Sequence, residues 1–425
     1  MADPLLKKYH LQGFWIKICS SLAFTIFSVY ISPGDSTGLF FTEGTNIFKL
    51  VMRDFENIKL FFDVGADFDE SQLSNSLNAG YFHSESNYFI AKLVAFLTPL
   101  CFSSYLIMNL FFSMISFSGV WKLYRFFYEQ YPHLHKKMAI AIIYLPTFIF
   151  WSSGILKDPL CTGMLGWLTY ALYSIFEKRT SILKNVLIAI IAGYVLGTVK
   201  SYILVSYLPF FFVYLILHNL KKIKSTGTRF AVLGSLIIIG IVGVVLVSDR
   251  LQVEVAGFTV DKLSESVKNQ QRNFINMADL AESSFSLGVE FDGSPGSMLK
   301  MAPAAITATL FRPFLWESKK LSTLLSSLES LALMLFTIFV FFKAGPFLFF
   351  GSVFKDPMIL YCFFFSILFA LFVGATTLNF GTLVRYKIPC IPFYIIALML
   401  IYEKYLAKKD SLSLAKKAVP VKPII

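Results

Sequence analysis

Long apolar runs alternate with short polar connectors along the whole chain. Runs at about 13–32, 104–128, 138–154, 160–176, 186–199, 202–217, 230–248, 321–342, 358–376 and 389–403 predict about ten membrane-crossing helices, an all-α integral membrane fold. A helix of roughly 20 apolar residues matches the hydrocarbon core of a bilayer and satisfies its own backbone groups there. An eleventh run, 88–101, is short and holds Lys92 and Pro99. Only one of 88–101 and 104–128 can cross if Lys136 and Lys137 are to share a side with the other basic connectors, so 88–101 is expected to be interfacial or re-entrant. Two intervals break the rhythm. Residues 33–87 are acidic and dotted with Gly and Asn, and residues 249–320 are rich in Ser, Asn and Gln, with Asp292-Gly293-Ser294-Pro295-Gly296 as a turn cluster. Both are expected as large extracytoplasmic loops whose amphipathic helices rest on the membrane.

Charge sets the expected sidedness. Basic residues cluster in connectors such as Lys221-Lys222-Ile223-Lys224 and Lys408-Lys409, the pattern of cytoplasmic loops. A transmembrane body over 1–403 and a basic cytoplasmic tail over 404–425 follow, with both termini cytoplasmic and the tail disordered around Pro420 and Pro423. Lys7 and Lys8 precede the first run, but Gly13–Ser32 is long and Val29-Tyr30-Ile31 offers no small-residue cleavage site, so a retained span is expected.

Composition agrees with a lipid solvent. Hydrophobic residues make up 56% of the 425 and charged ones 15%, too few to cover a soluble surface. The net charge of +12 lies in connectors rather than in a stripe with aromatic readers, so nucleic acid is not an expected partner. The five cysteines all fall in apolar runs without a C-x-x-C, which makes them core residues.

Ionisable residues at a membrane boundary are costly and become the functional candidates. On the expected outer side these are Asp35, just past the first span; Lys157 and Asp158, in a tight turn before Pro159; Lys200, topping the fifth span; Arg312, in Phe311-Arg312-Pro313-Phe314; and Arg385, Tyr386 and Lys387, in the last outer connector. Each has a structural alternative: Asp35 as a helix cap, Lys157-Asp158 as a local ion pair, Lys200 as a snorkelling side chain, Arg312 and Arg385 as surface charges. Taken together, cations suit the phosphate of a lipid-linked substrate and a carboxylate suits removal of a proton from a sugar hydroxyl. No nucleotide loop, hydrolase elbow or zinc-protease motif occurs, so the active group is expected to arrive already activated.

The arrangement resembles the C-type glycosyltransferase superfamily (GT-C), integral membrane enzymes that use polyprenyl-phosphate-linked sugars. Three segments carry the resemblance: Pro33-Gly34-Asp35-Ser36-Thr37-Gly38-Leu39-Phe40 at the opening of the first outer loop, Pro146 to Asp158, and Arg385-Tyr386-Lys387-Ile388-Pro389-Cys390-Ile391-Pro392. The resemblance implies Asp35 as general base, Asp158 as a supporting acid for the site or a metal, and Arg385 on the donor phosphate. It further implies a polyprenyl-phosphate-linked sugar donor, a glycan or lipid acceptor, membrane lipids around the body, and either no required cofactor or a divalent cation. The expected location is a bacterial inner membrane. The chain departs from the pattern in two respects: many members pair two acids in the first loop, whereas Ser36 follows Asp35, leaving Glu43 or Asp54 as substitutes, and no large soluble outer domain for a peptide acceptor is expected, which favours a glycan or lipid acceptor over protein glycosylation. Two other readings compete. An O-antigen-type polysaccharide polymerase would rely on Arg250, Arg272 and Arg312. A lipid-linked substrate transporter would need broken helices and polar residues deep in its spans, and few such residues are apparent.

Overall fold

The computed structural model of the chain describes residues 3–75, 78, 80–220, 284–289, 295–318 and 321–417. These residues form α1 (Pro4–Ile26), α2 (Thr42–Arg53), α3 (Glu85–Leu97), α4 (Tyr105–Gln130), α5 (His135–Ile142), α6 (Pro146–Trp151), α7 (Lys157–Tyr173), α8 (Ile182–Leu220), α9 (Pro295–Phe311), α10 (Leu321–Lys355), α11 (Pro357–Thr376), α12 (Phe380–Tyr386) and α13 (Ile391–Lys417). Among the described residues there is no strand, only a single bridge between Ser284 and Asn379.

Among the described residues five helices are long and apolar enough to cross a membrane: Pro4–Ile31, Tyr105–Gln130, Ile182–Asn219, Thr323–Lys355 and Pro357–Thr376. A sixth counts if α12 and α13, bent by 61°, form one span. Large apolar side chains cover the outside, among them Trp15 and Leu183 at 61% and 85% exposure, a surface suited to acyl chains rather than water.

The tally of span-length helices falls short of ten for identifiable reasons. Residues 138–154 do not form one helix, because α5 stops at Ile142 and Pro146 opens a separate α6; proline lacks the N–H that a continuing helix needs and suits a first turn. Residues 160–176 fall in α7, which has 17 residues. Runs 186–199 and 202–217 are two arms of α8, whose backbone leaves helical geometry at Lys200 (φ −151°, ψ 77°). Run 230–248 lies outside the described residues, as do Arg250 and Arg272.

Contacts at the helix ends define two ends of the bundle. At one end Asp3 accepts from Tyr128 (2.5 Å), Lys178 pairs with Glu129 (2.8 Å), Lys137 with Glu403 (3.0 Å) and Lys404 with Asp356 (2.7 Å). Both ends of the described chain therefore lie on this basic side. At the other, Ser36 meets Tyr105 (2.7 Å) and Lys157 meets Ser86 (2.5 Å). Since α3 carries Ser86 in its first turn and leads through a turn to Tyr105, both its ends lie at that second end. The two arms of α8 follow from the same logic. Lys200 meets Asp158 at the start of α7, whereas Asn219 donates to Glu177 just past its end. The helix starts at Ile182, soon after Glu177, so it rises to Lys200 and folds back.

A second fold occurs in α10 at Gly345 (φ 71°, ψ 159°), a conformation that glycine alone adopts readily. Phe349 then packs on Phe341 (5.4 Å) and Asp356 pairs with Lys404, so residues 346–355 remain at the basic end. Helices α4 and α7 approach closely. A Cβ on Gly119 would lie 1.8 Å from the Gly163 carbonyl oxygen, and one on Gly166 2.0 Å from that of Gly119. Small residues let the backbones touch, and this contact anchors the helix whose first turn bears Asp158.

Two further expectations change. Part of the polar 249–320 interval is the apolar helix α9, held antiparallel to α11 by a bond from Thr309 Oγ1 to the Ala370 carbonyl (2.7 Å) and by Ala305 seated on Gly374. Residues 404–417 of the tail continue α13 instead of being disordered; the remainder lies outside the described residues.

Candidate functional site

Asp35, Asp158, Lys200, Arg385 and Tyr386 meet at the end of the bundle opposite the termini. Each arrives for a local reason. Asp35 opens a wide-turn helical segment, Asp35–Phe41, after Pro33-Gly34 ends the first span. Asp158 sits in the first turn of α7, where the helix dipole favours a carboxylate; Lys157-Asp158-Pro159 is thus the start of a helix, and the turn expected there lies just before it. Lys200 occupies the fold of α8. Arg385 and Tyr386 end α12, which Asn379 caps through a bond from the Thr382 N–H (3.2 Å).

The contacts grade from tight and buried to loose and exposed. Lys200 Nζ donates to Asp158 Oδ1 at 2.6 Å, with side-chain exposures of 4% and 0%, and the same ammonium lies 3.9 Å from the centre of the Tyr386 ring. Arg385 reaches Asp158 Oδ2 at 3.5 Å and Asp35 Oδ2 at 3.4 Å. These are long for charge-assisted hydrogen bonds, which run about 2.7–2.9 Å. Arg385 Nε has no hydrogen-bond partner, nor does the neighbouring buried Tyr202 hydroxyl. Asp35 is the accessible member, at 41% exposure against 19% for Arg385. An aromatic wall of Phe27, Phe150 and Trp151 stands alongside, with the Arg385 guanidinium 5.7 Å from the Trp151 ring. From the first loop comes Tyr81, whose phenol is pushed well up by burial and by Asp35; its hydroxyl keeps its proton as a donor.

The other candidates do not join this cluster. Arg312 is committed to Glu317, through Nε at 3.0 and 3.1 Å and Nη2 at 2.5 Å, and it covers the stacked rings of Phe285 and Phe380. Lys387 is buried and donates to Ser330 Oγ (2.7 Å) and the Arg312 carbonyl (2.9 Å), pinning the connector after Arg385 to α10. Lys157 lies beside the cluster with its ammonium on Ser86. Neither substitute acid faces Asp35. Glu43, 1% exposed, accepts from Ser74 N and Oγ (2.9 and 2.8 Å), Asn75 N (3.2 Å) and Asn78 (2.8 Å), and so ties the first loop together. Asp54 caps a short turn through the Glu56 N–H (3.0 Å). The acid that shares a cation with Asp35 is Asp158, far away in sequence.

The residues fit a divalent cation poorly. Both oxygens of Asp158 already face cations and Asp35 brings the one remaining carboxylate; no group of three His, Cys, Asp or Glu side chains converges among the described residues. Sequence reasoning missed Tyr81 and Trp151 beside the site and the buried Lys17 outside it. Only Lys17 carried a signal, being a charge inside the first apolar run. No protein-family model, no curated protein and no solved structure matches the chain.

Proposed function

We propose that the protein is a membrane glycosyltransferase that moves a sugar from a polyprenyl-phosphate-linked donor to a glycan or lipid acceptor on the extracytoplasmic side. The observation that carries this reading is the single guanidinium of Arg385 held loosely between an exposed carboxylate, Asp35, and a buried one, Asp158. Basic residues crowd the opposite end of the bundle, and cytoplasmic ends carry such an excess, so the site faces outward and both termini face the cytoplasm. Among the described residues the arms of α8 then count as two crossings, and α5 and α6 form one broken crossing.

In the proposed reaction the acceptor hydroxyl oxygen attacks the anomeric carbon of the donor sugar. Asp35 takes the hydroxyl proton as the new C–O bond forms. The bond between the anomeric carbon and the phosphate oxygen breaks, and its electron pair leaves with polyprenyl phosphate. Arg385, released from its long carboxylate contacts, neutralises that phosphate. Asp158 is buried between Lys200 and Arg385, and its role is to aim Arg385. The aromatic wall beside Trp151 receives the start of the prenyl chain.

The test is transfer from a polyprenyl-phosphate sugar by the purified Asp35→Asn protein. Loss of transfer with unchanged folding supports the reading, and undiminished transfer removes Asp35 as the base. The commitment of Arg312 to Glu317 weighs against the polymerase reading, which needs that arginine for substrate. A transporter reading of the same site has one observation in its favour: α5 and α6 form a broken helix with the Glu329 carboxylate beside the break at Thr147, and broken helices are a feature of transporter cores. Substrate translocation without transfer, in proteoliposomes, would select it.

A further inference from the structure

Two ionisable residues outside the cluster hold one short helix between them. Lys17 of α1 is 3% exposed, and its ammonium is caged by neutral oxygens: the Ser152 carbonyl (2.6 Å), Ser152 Oγ (2.5 Å), Ser153 Oγ (3.2 Å), Ser116 Oγ (3.4 Å) and the Ile149 carbonyl (3.5 Å). Glu329 of α10 accepts from the Thr147 N–H (2.9 Å) and from the Thr147 hydroxyl. Their targets are the two ends of one element, the six-residue helix α6. A helix of that length is unstable alone, and both its ends leave unsatisfied backbone groups where the bilayer offers no water. The anion sits at its N-terminus and the cation at its C-terminus, each sign matching the dipole.

We propose that Lys17 and Glu329 are positioning residues, an electrostatic clamp on α6 that sets Trp151 and Asp158 for the reaction. Trp151 is the last residue of α6, and Asp158 follows through residues 152–157. The clamp reaches α7 by a second route, because Ser116 Oγ meets Thr162 Oγ1 (3.1 Å), which donates to the Asp158 carbonyl (2.9 Å). Asn109 secures the intervening segment by accepting the Ile155 N–H (2.8 Å). Lys17 thus acts as a tethered cation at the end of a broken helix, where free cations bind in other membrane proteins.

The inference rests on the transferase reading for its rate arm only. The structural arm is fluorine NMR of the full-length protein labelled with 5-fluorotryptophan, with the resonance of Trp151, one of five tryptophans, assigned by Trp151→Phe. Lys17→Met, which keeps the length but removes the charge, is expected to shift or broaden the Trp151 resonance. It should also slow transfer by about 100-fold while the apparent KM for donor stays within about threefold. Lys17→Ala leaves room for a small ammonium ion, and added methylammonium is expected to restore both the resonance and the melting temperature. Glu329→Gln, which keeps the acceptor oxygen, should move Trp151 in the same way but less. An unmoved Trp151 resonance in folded Lys17→Met, or no response of Lys17→Ala to methylammonium, would overturn the clamp. A moved resonance combined with full transfer by Asp35→Asn would uphold the clamp and sink only the proposed chemistry.

Discussion

Arg312 and Arg385 lie in one region of the molecule and are held in opposite ways. Arg312 binds Glu317, five residues away in its own loop, through contacts of 2.5–3.1 Å and rests on two stacked rings. Arg385 touches two carboxylates from distant parts of the chain at 3.4–3.5 Å, and its Nε faces Asp158 without forming a hydrogen bond. A short bidentate pair within one loop closes a structure and leaves nothing for a ligand. A guanidinium stretched between two acids keeps a preference for any anion that can approach more closely. The difference separates a structural arginine from one suited to a phosphate.

Substitutions can break or sharpen this contrast. The largest expected effect belongs to Asp35→Asn, with transfer falling by on the order of 10²–10⁴ and the melting temperature unchanged, read by product formation beside a melting curve. Lys200→Met strips the buried Asp158 of its closest partner, and a cost of about 3–5 kcal/mol is expected in unfolding measurements. Arg385→Ala is expected to raise the apparent KM for donor by roughly 10–100-fold, the loss of a hydrogen bond to a charged group, with a smaller change in turnover of bound donor. Arg312→Ala is expected to lower stability by about 1–2 kcal/mol, between the exposed and buried limits for an ion pair, with the KM for donor unaltered. A matching KM effect from both arginines would erase the distinction between them.

Much of the site is legible in the sequence because sidedness alone brings it together. Asp35, Asp158, Lys200 and Arg385 each mark an end of an apolar run on the side expected to be the outer one, and helices that share a membrane bring such ends to one surface. What sidedness does not give is lateral distance or orientation. Arg312 and Lys387 mark the same surface, yet one turns to Glu317 and the other to Ser330. Glu43 looks like a second site acid until the fold of residues 74–78 surrounds it. Lys17 and Glu329 sit inside runs apolar enough to mask them, and their meaning depends on a break at Pro146 that hydropathy averages away.

The most direct measurement is the affinity of polyprenyl phosphate for the protein in lipid nanodiscs, compared among the unaltered chain, Arg385→Ala and Arg312→Ala. A Kd weakened by at least roughly tenfold in Arg385→Ala, and left alone in Arg312→Ala, is expected for a phosphate that binds between Asp35 and Arg385. Equal affinity in all three proteins would contradict it.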